Sequence, residues 1–285
     1  MDRLLGTPVA EVTDLGTSHE WSLRRATLTD GRRVFVKEAR RRIDGLFAAE
    51  AAGLRWLGEG WRRVAGDDAP GPVPEVLDAG ETTLVLPWID TAAPTPEAAE
   101  RFGRELAALH GAGAESYGAP WRGYIAELPL DNTAGTSWPE WYAECRVLPY
   151  VRMAVDRGAL SAGDAAEIER AAARIPDAAG PPEPPARIHG DLWSGNVLWG
   201  RDRVWLVDPA AHAGHRETDL AMLTLFGAPE LERILAAYDE AAPLADGWRA
   251  RAPLHQLHPL LVHVVLFGRS YRGQALAAAR SVLSA

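Results

Sequence analysis

The hydrophobic period changes once along the chain, and that change limits the folds open to it. Period-two alternation, the mark of strands half-buried in a sheet, is concentrated in the first ninety residues, whereas beyond Pro96 apolar residues recur at helical spacing. Glu20 to Leu28 reads as a strand, Thr29-Asp30-Gly31-Arg32 as a tight turn and Arg33 to Lys37 as the returning strand of a hairpin. Leu46, Ala49, Gly53, Leu54 and Leu57 then predict a helix of about three turns. After a Pro/Gly-rich loop at Gly66 to Pro74, Val73 to Leu77 and Thr82 to Leu86 are expected as further short strands. Helices are expected around Phe102 to His110, over Trp138 to Gly158 and Ser161 to Arg174, and after Asp219. The Pro-rich run from Pro176 to Pro185 is read as a spacer across the helical part. The expectation is an α+β chain with two lobes: a small β-rich N-terminal lobe over residues 1–88 and a larger, mainly helical C-terminal lobe over residues 89–285.

Composition narrows the partners. Thirty Lys and Arg against 39 Asp and Glu give a formal net charge of -9, the wrong balance for a nucleic-acid footprint. The one basic run, Arg40 to Arg42, reads as a solvated edge. The longest apolar stretch near the end, Leu260 to Phe267, is interrupted by His263 and falls far short of the roughly 20 residues of a membrane span. A single cysteine, Cys145, closes no disulfide within the chain, and the first residues lack the apolar core of a signal peptide, so a cytoplasmic location is expected.

Chemistry concentrates in one segment, RIHGDLWSGNVLWGRDRVWLVDPA, which reads as strand, loop, strand, turn, strand. Asp191 and Asn196 stand five residues apart in the loop, and Asp208 follows the next hairpin twelve residues after Asn196. Each alone caps a turn in many proteins. Together, a carboxamide and a carboxylate can hold magnesium on a polyphosphate while the other carboxylate accepts a hydroxyl proton, in the H-x-D-x-x-x-x-N spacing of kinase catalytic loops. Lys37 ends an alternating strand in which Val34 and Val36 share one face and Phe35 and Lys37 the other. Such a lysine often snorkels, yet Glu50 follows thirteen residues later in the first helix, where it could hold the ammonium against phosphates. Lysine, helix glutamate, hinge-like strand, aspartate, asparagine, aspartate is the kinase order, and phosphoryl transfer is the reading it supports.

HGDLWSGN, followed by DPAAHAGHRETDLAMLTLFG and QLHPLLVHVVLFG, resembles the fructosamine kinase (ketosamine 3-kinase) family of the protein-kinase-like, aminoglycoside-phosphotransferase-like superfamily. The likeness extends to FVKEA around Lys37, FAAEAAGLRWL around Glu50, LAALH at residues 106–110 and WPEWYAECRVLPYVRMA at residues 138–154. It implies ATP and Mg2+ as cofactors and a sugar-amine, small or protein-borne, as substrate. Asp191 is then the catalytic base, Asn196 and Asp208 the magnesium ligands, and Lys37, partnered by Glu50, the contact to the α- and β-phosphates. His189 and Asp219 brace the catalytic loop, while Trp193 and His263 are expected at the substrate. Phosphorylation of another hydroxyl, as in aminoglycoside or choline kinases, and a regulatory pseudokinase are the alternatives; the intact set of five polar residues speaks against the latter.

At the hinge, Pro87 offers a carbonyl for the adenine amino group and Ile89 an N–H for a ring nitrogen. The phosphate-covering loop, Asp14 to Glu20, has one glycine, Gly16, so Thr17 and Ser18 are expected to donate hydroxyls where richer loops offer amides. His255, His258 and His263 do not read as a zinc site, since Pro259 intervenes and no cysteine is near.

Overall fold

The computed structural model describes residues 3–18 and 20–285; His19, inside the expected phosphate-covering loop, lies outside them. The chain begins with β1 (Arg3–Leu4), β2 (Thr7–Ser18), β3 (Trp21–Leu28), β4 (Arg33–Ala39), α1 (Leu46–Ala65), β5 (Asp78–Ala79) and β6 (Thr83–Pro87). These strands form one antiparallel sheet in the order β1-β2-β3-β4-β6-β5. The β3–β4 hairpin falls where the alternation places it, with Ala26 opposite Val34 and Leu23 opposite Lys37. Ala26, Val34, Val36 and Val85 pack on one face of the sheet, while Leu84 and Leu86 on the other join Phe47, Ala51 and Leu54 of α1. Burying the α1 face removes several large apolar side chains from water, at ~1.5–3 kcal/mol each.

Two local expectations need correction. Val73 to Leu77 is not a strand: prolines at 72 and 74 remove ladder donors, and pairing begins only at the two-residue β5, after the Leu77 N–H has reached the Val85 carbonyl. The first helix is longer than three turns, running on to Ala65 because Trp61 extends the buried face of Leu54 and Leu57. β2 carries no clean alternation, since most of its side chains are exposed, and pairing with β3 alone makes it a strand.

The mainly helical part follows: α2 (Pro96–Gly111), the hairpin β7 (Gly123–Ile125) and β8 (Leu128–Leu130), α3 (Trp138–Tyr142), α4 (Leu148–Asp156) and α5 (Ala162–Ala178). Then come β9 (Ala186–Ile188), β10 (Val197–Trp199), β11 (Val204–Leu206), β12 (His212–Gly214), α6 (Glu217–Phe226), α7 (Leu231–Ala241), α8 (Trp248–Phe267) and α9 (Arg272–Ser284). Thr95 caps α2 by accepting the Ala98 N–H, and Ser161 and Asp164 form a reciprocal capping box on α5. The helix expected over Trp138 to Gly158 is present as a continuous run from Trp138 to Asp156, widened by a π-turn at Ala143–Val147 just before Pro149 in the first turn of α4. Pro176 sits inside the last turn of α5, so the proline-rich spacer starts later than expected. Nor does Pro259 interrupt α8, which continues through it. The strap leaving the sheet is pinned to the helical part where the Ala92 N–H donates to the Trp199 carbonyl. Among the described residues no helix is long and apolar enough to cross a membrane.

Candidate active site

β10, β11 and the loop before them bring the polar cluster to the floor of a cavity of about 540 Å³ between the sheet and the helical part. β4 supplies the lysine from above. Lys37 is buried, and its Nζ donates to Glu50 Oε2 at 2.9 Å and to Asp208 Oδ1 at 2.6 Å. Burial alone would lower the Lys37 pKa, but the charges of Asp208 and Glu50 outweigh it and raise the value, so the ammonium stays charged. The Trp21 ring lies 5.2 Å from the same ammonium. Glu50 is pushed up to about 7 by burial, the Lys37 charge pulling it back only in part. Asp208 adopts a left-handed conformation, φ 55°, and its side chain remains half exposed toward the cleft.

The loop beneath is held at every turn. Asn196 Nδ2 donates to the Asp191 carbonyl at 2.9 Å and to Asp191 Oδ2 at 3.0 Å, with the Asp208 carbonyl at 3.4 Å. Its nitrogen is thus committed to the loop, and the amide oxygen is the atom it offers a ligand. Asp191 is pushed up to about 7 by burial and by the neighbouring Asp208 charge, with Asn196 opposing. His189 Nε2 donates to the Val207 carbonyl at 3.0 Å and Nδ1 accepts the Asp191 N–H at 3.3 Å. Burial lowers its pKa, so a neutral ring braces the backbone on both sides. Asp219, fully buried at the start of α6, accepts the His189 N–H at 2.7 Å and the Gly190 N–H at 2.9 Å. Burial pushes its carboxyl up, yet the hydrogen bond and charge of His110 hold it below the ordinary range. Gly190, φ 81°, is obligatory: a Cβ there would stand 2.3 Å from the Ala210 carbonyl oxygen.

Of the hinge and loop residues, Pro87 and Ile89 line the cavity with Leu86 behind them, and Ser18 lines it from β2. Gly16 and Thr17 fall outside its lining. Pairing with β3, with a bulge between Asp14 and Gly16, places them in strand β2. Trp193 lines the cavity and is 40% exposed, its ring folded over Gly195, where a Cβ would meet ring carbons at 2.2 Å. His263 does not line the cavity; it stands among Phe226, Phe267 and Tyr271 beyond Trp193.

Several contributors carry no local signal. His110 joins the Asp219 carboxylate (3.1 Å) to the Tyr238 hydroxyl (2.8 Å), partners 109 and 128 residues away. Trp121 and the turn of the β7–β8 hairpin form a further wall of the cavity, and the Tyr124 hydroxyl ties that hairpin to the Asp44 carbonyl just before α1. The three late histidines do not meet. His258 packs edge-on against Tyr150, whereas His255 joins His215 and Glu217, with ligand atoms of the three within 4.8 Å of one another. Both Glu217 oxygens already accept from Arg251, at 2.6 and 3.0 Å, so a metal would have to displace a buried ion pair.

The match to a family model, fructosamine kinase, spans residues 11–285. The chain belongs to the fructosamine kinase family. A probable ketoamine kinase of Thermus thermophilus is 37% identical over 241 residues, 85% of this chain and 84% of its own length. The chloroplastic protein-ribulosamine 3-kinase of Arabidopsis thaliana is 32% identical over 256 residues, 87% of this chain and 75% of its own. A crystal structure from Thermobifida fusca, assigned as a fructosamine-3-kinase, superposes with a TM-score of 0.93 at 57% identity and covers 99% of this chain and 96% of that one. An aminoglycoside phosphotransferase in complex with AMP-PNP and hygromycin B shares the fold, with a TM-score of 0.64 at 18% identity over 96% and 94% of the two chains. An N-terminal antiparallel sheet followed by a mainly helical part is therefore the architecture common to the fructosamine kinase family and these phosphotransferases.

Proposed function

We propose that this chain transfers the γ-phosphate of ATP to the 3-hydroxyl of ketoamines with Asp191 as the base. The reaction class is that of the fructosamine kinase family, an ATP-dependent phosphotransferase acting on a ketoamine hydroxyl. The observation that carries the residue roles is the meeting of Lys37 and Glu50, thirteen residues apart, with Asp208, 171 residues from Lys37, directly above the Asp191–Asn196 loop. In the mechanism, the substrate oxygen attacks the γ-phosphorus as Asp191 takes its proton, the bond from the γ-phosphorus to the β,γ-bridging oxygen breaks, and ADP leaves. A carboxylate raised toward 7 is matched to accepting such a proton near neutral pH. Lys37 turns from Asp208 to the α- and β-phosphates while Glu50 keeps it in place. Asn196 and Asp208 fit Mg2+, offering an amide oxygen and a half-exposed carboxylate, the hard oxygen donors that ion prefers. When bound, the ion would neutralise phosphate charge and orient the γ-phosphate. Pro87 and Ile89 take the adenine edge, and we set the lobe boundary between residues 88 and 89.

The product has its own chemistry. Enolisation between carbons one and two of the ketoamine lets the enol expel the 3-phosphate, and water then hydrolyses the carbon-one imine that remains, so phosphate and the amine are both freed without a hydrolytic residue. Deglycation of amines is the outcome we propose. A reducing compartment, the cytoplasm, suits a chain whose one cysteine is free and buried. ADP release measured with fructosyl and ribulosyl amines against choline and aminoglycosides tests the assignment: turnover is expected with the ketoamines, and turnover confined to the other acceptors overturns it.

A further inference from the structure

Of the thirty Lys and Arg in the chain all but one are arginine, and Lys37, above the catalytic loop, is the single lysine. Structural need accounts for part of this. Buried Arg146 donates to Asn132 Oδ1 at 2.9 Å and to the Asp131 and Cys145 carbonyls, and Arg216 holds both Glu183 oxygens, at 2.6 and 2.7 Å, while reaching the Ala242 and Pro243 carbonyls. The one nitrogen of a lysine cannot span such partners. At the surface no fork is needed. Arg62 and Arg63 lie exposed in the last turn of α1, where any cation complements the helix end, and Arg174 and Arg233 each meet a carboxylate three residues away at 3.1 Å. Lysine serves equally at such positions, yet none is present.

We infer that this chain is refractory to the modification it reverses: no ketoamine accumulates on its own side chains, so it stays active among proteins that are being glycated. The inference rests on the ketoamine kinase reading for what the resistance serves; the resistance itself follows from the residues. A ketoamine forms when the lone pair of a primary amine adds to an aldose carbonyl, water leaves to give the imine, and the imine rearranges, carbon two being oxidised to the ketone as carbon one is reduced. No outside oxidant enters, but an accessible amine is required. A guanidinium is permanently protonated and delocalised, so it offers no such lone pair and forms no ketoamine. Lys37, the one side-chain amine, is 6% exposed, and its Nζ would have to leave both Glu50 Oε2 and Asp208 Oδ1 to bond a sugar carbon.

The test incubates the wild type and the double variant Arg62→Lys, Arg63→Lys with D-ribose at neutral pH without ATP, until the amino terminus of each carries the pentose adduct. Both are then freed of sugar, digested and mapped by mass spectrometry, and turnover of fructosyl lysine is measured before and after exposure. The expected result is the adduct at both introduced lysines, none at Lys37, and no loss of wild-type turnover. An adduct at Lys37, a loss of wild-type turnover that grows with exposure, or introduced lysines left unmodified beside a modified terminus overturns the inference and leaves the ketoamine kinase reading standing. Absence of fructosyl lysine turnover before any exposure overturns that reading instead, while an unmodified Lys37 upholds the resistance.

Discussion

Across the cleft from each other lie two segments of opposite construction. In the loop from His189 to Asn196, backbone amides and side chains are bound to buried partners: Asp219 takes two N–H groups, His189 spans to Val207, and Asn196 ties Asp191 to Asp208. The segment from Asp14 to Ser18 is exposed along its length, with the Asp14 carboxylate accepting the Gly16 N–H and β3 on one side. The groups that move a proton must stand within a few tenths of an ångström of the right place, and buried hydrogen bonds hold them there. The groups over the nucleotide must let it in and out, and weak local restraint serves that purpose. The contrast teaches where this fold places its rigidity: in the buried network beneath the cleft, not in the exposed strand β2.

The sharpest way to break the comparison is Asp191→Asn. The amide keeps the shape of the loop but accepts no proton, so kcat should fall by roughly 10²- to 10⁴-fold while ATP binding by calorimetry is retained. A fall of less than about threefold would remove Asp191 from the chemistry. Asp219→Ala leaves the His189 and Gly190 amides and His110 without their shared acceptor, and should cost ~3 kcal/mol in urea unfolding as well as turnover. Stability unchanged by that substitution would show the brace to be dispensable.

Acid sharpens the same contrast, because the helical part continues the buried network beyond the loop. His215 is held down to about 3, by burial first and by His255 next, against an ordinary 6.5. Glu217 is held down to about 2 against an ordinary 4.5; burial pushes it up, but the bonds from His255 and Arg251 outweigh that. In both cases the unfolded chain binds protons more readily than the folded one, so stability is fully present above the ordinary values. It is lost as the pH falls, for His215 from about 6.5 toward 3 and for Glu217 from about 4.5 toward 2. The Glu217 share is on the order of 3 kcal/mol. Glu50 and Asp191, raised by burial, act in the opposite sense over the same range, so the His215 share is read as the difference in urea midpoint between the wild type and His215→Phe: that difference should shrink from pH 7 to pH 4, and a constant difference would contradict the network. The smallest effect is expected from Gly16→Ala. Its φ of 93° strains an alanine by ~1 kcal/mol, but the added Cβ meets nothing within 4 Å. Gly190→Ala, at a similar φ, drives the Cβ into the Ala210 carbonyl and should abolish turnover, whereas Gly16→Ala should shift KM for ATP only a few-fold. Equal damage from the two would erase the distinction between the segments.

The same division governs what could be read from the residues. Asp191, Asn196 and Asp208 lie within one short segment, and a polar loop between apolar strands exposes itself by spacing; Lys37 shows itself by breaking an alternating strand. Val34 and Val36 do turn to one face, with Phe35 and Lys37 on the other. His110 gave no such sign, because its partners Asp219 and Tyr238 are brought to it by the packing of α2 on α7 and by the placement of the start of α6. The meeting of His215, Glu217 and His255 depends likewise on α6 lying on α8, and neither histidine stands at a helical spacing that hints at it. β2 escaped for another reason: an exposed strand has no hydrophobic period to read.

On the proposed function, phosphate goes to the 3-hydroxyl of a ketoamine. The direct measurement is phosphorus and carbon NMR of a carbon-labelled fructosyl amine incubated with enzyme, ATP and Mg2+. Phosphorus coupling to carbon three at early times, followed by inorganic phosphate and free amine, is the predicted result. A stable phosphate on a terminal carbon with no amine released would contradict it.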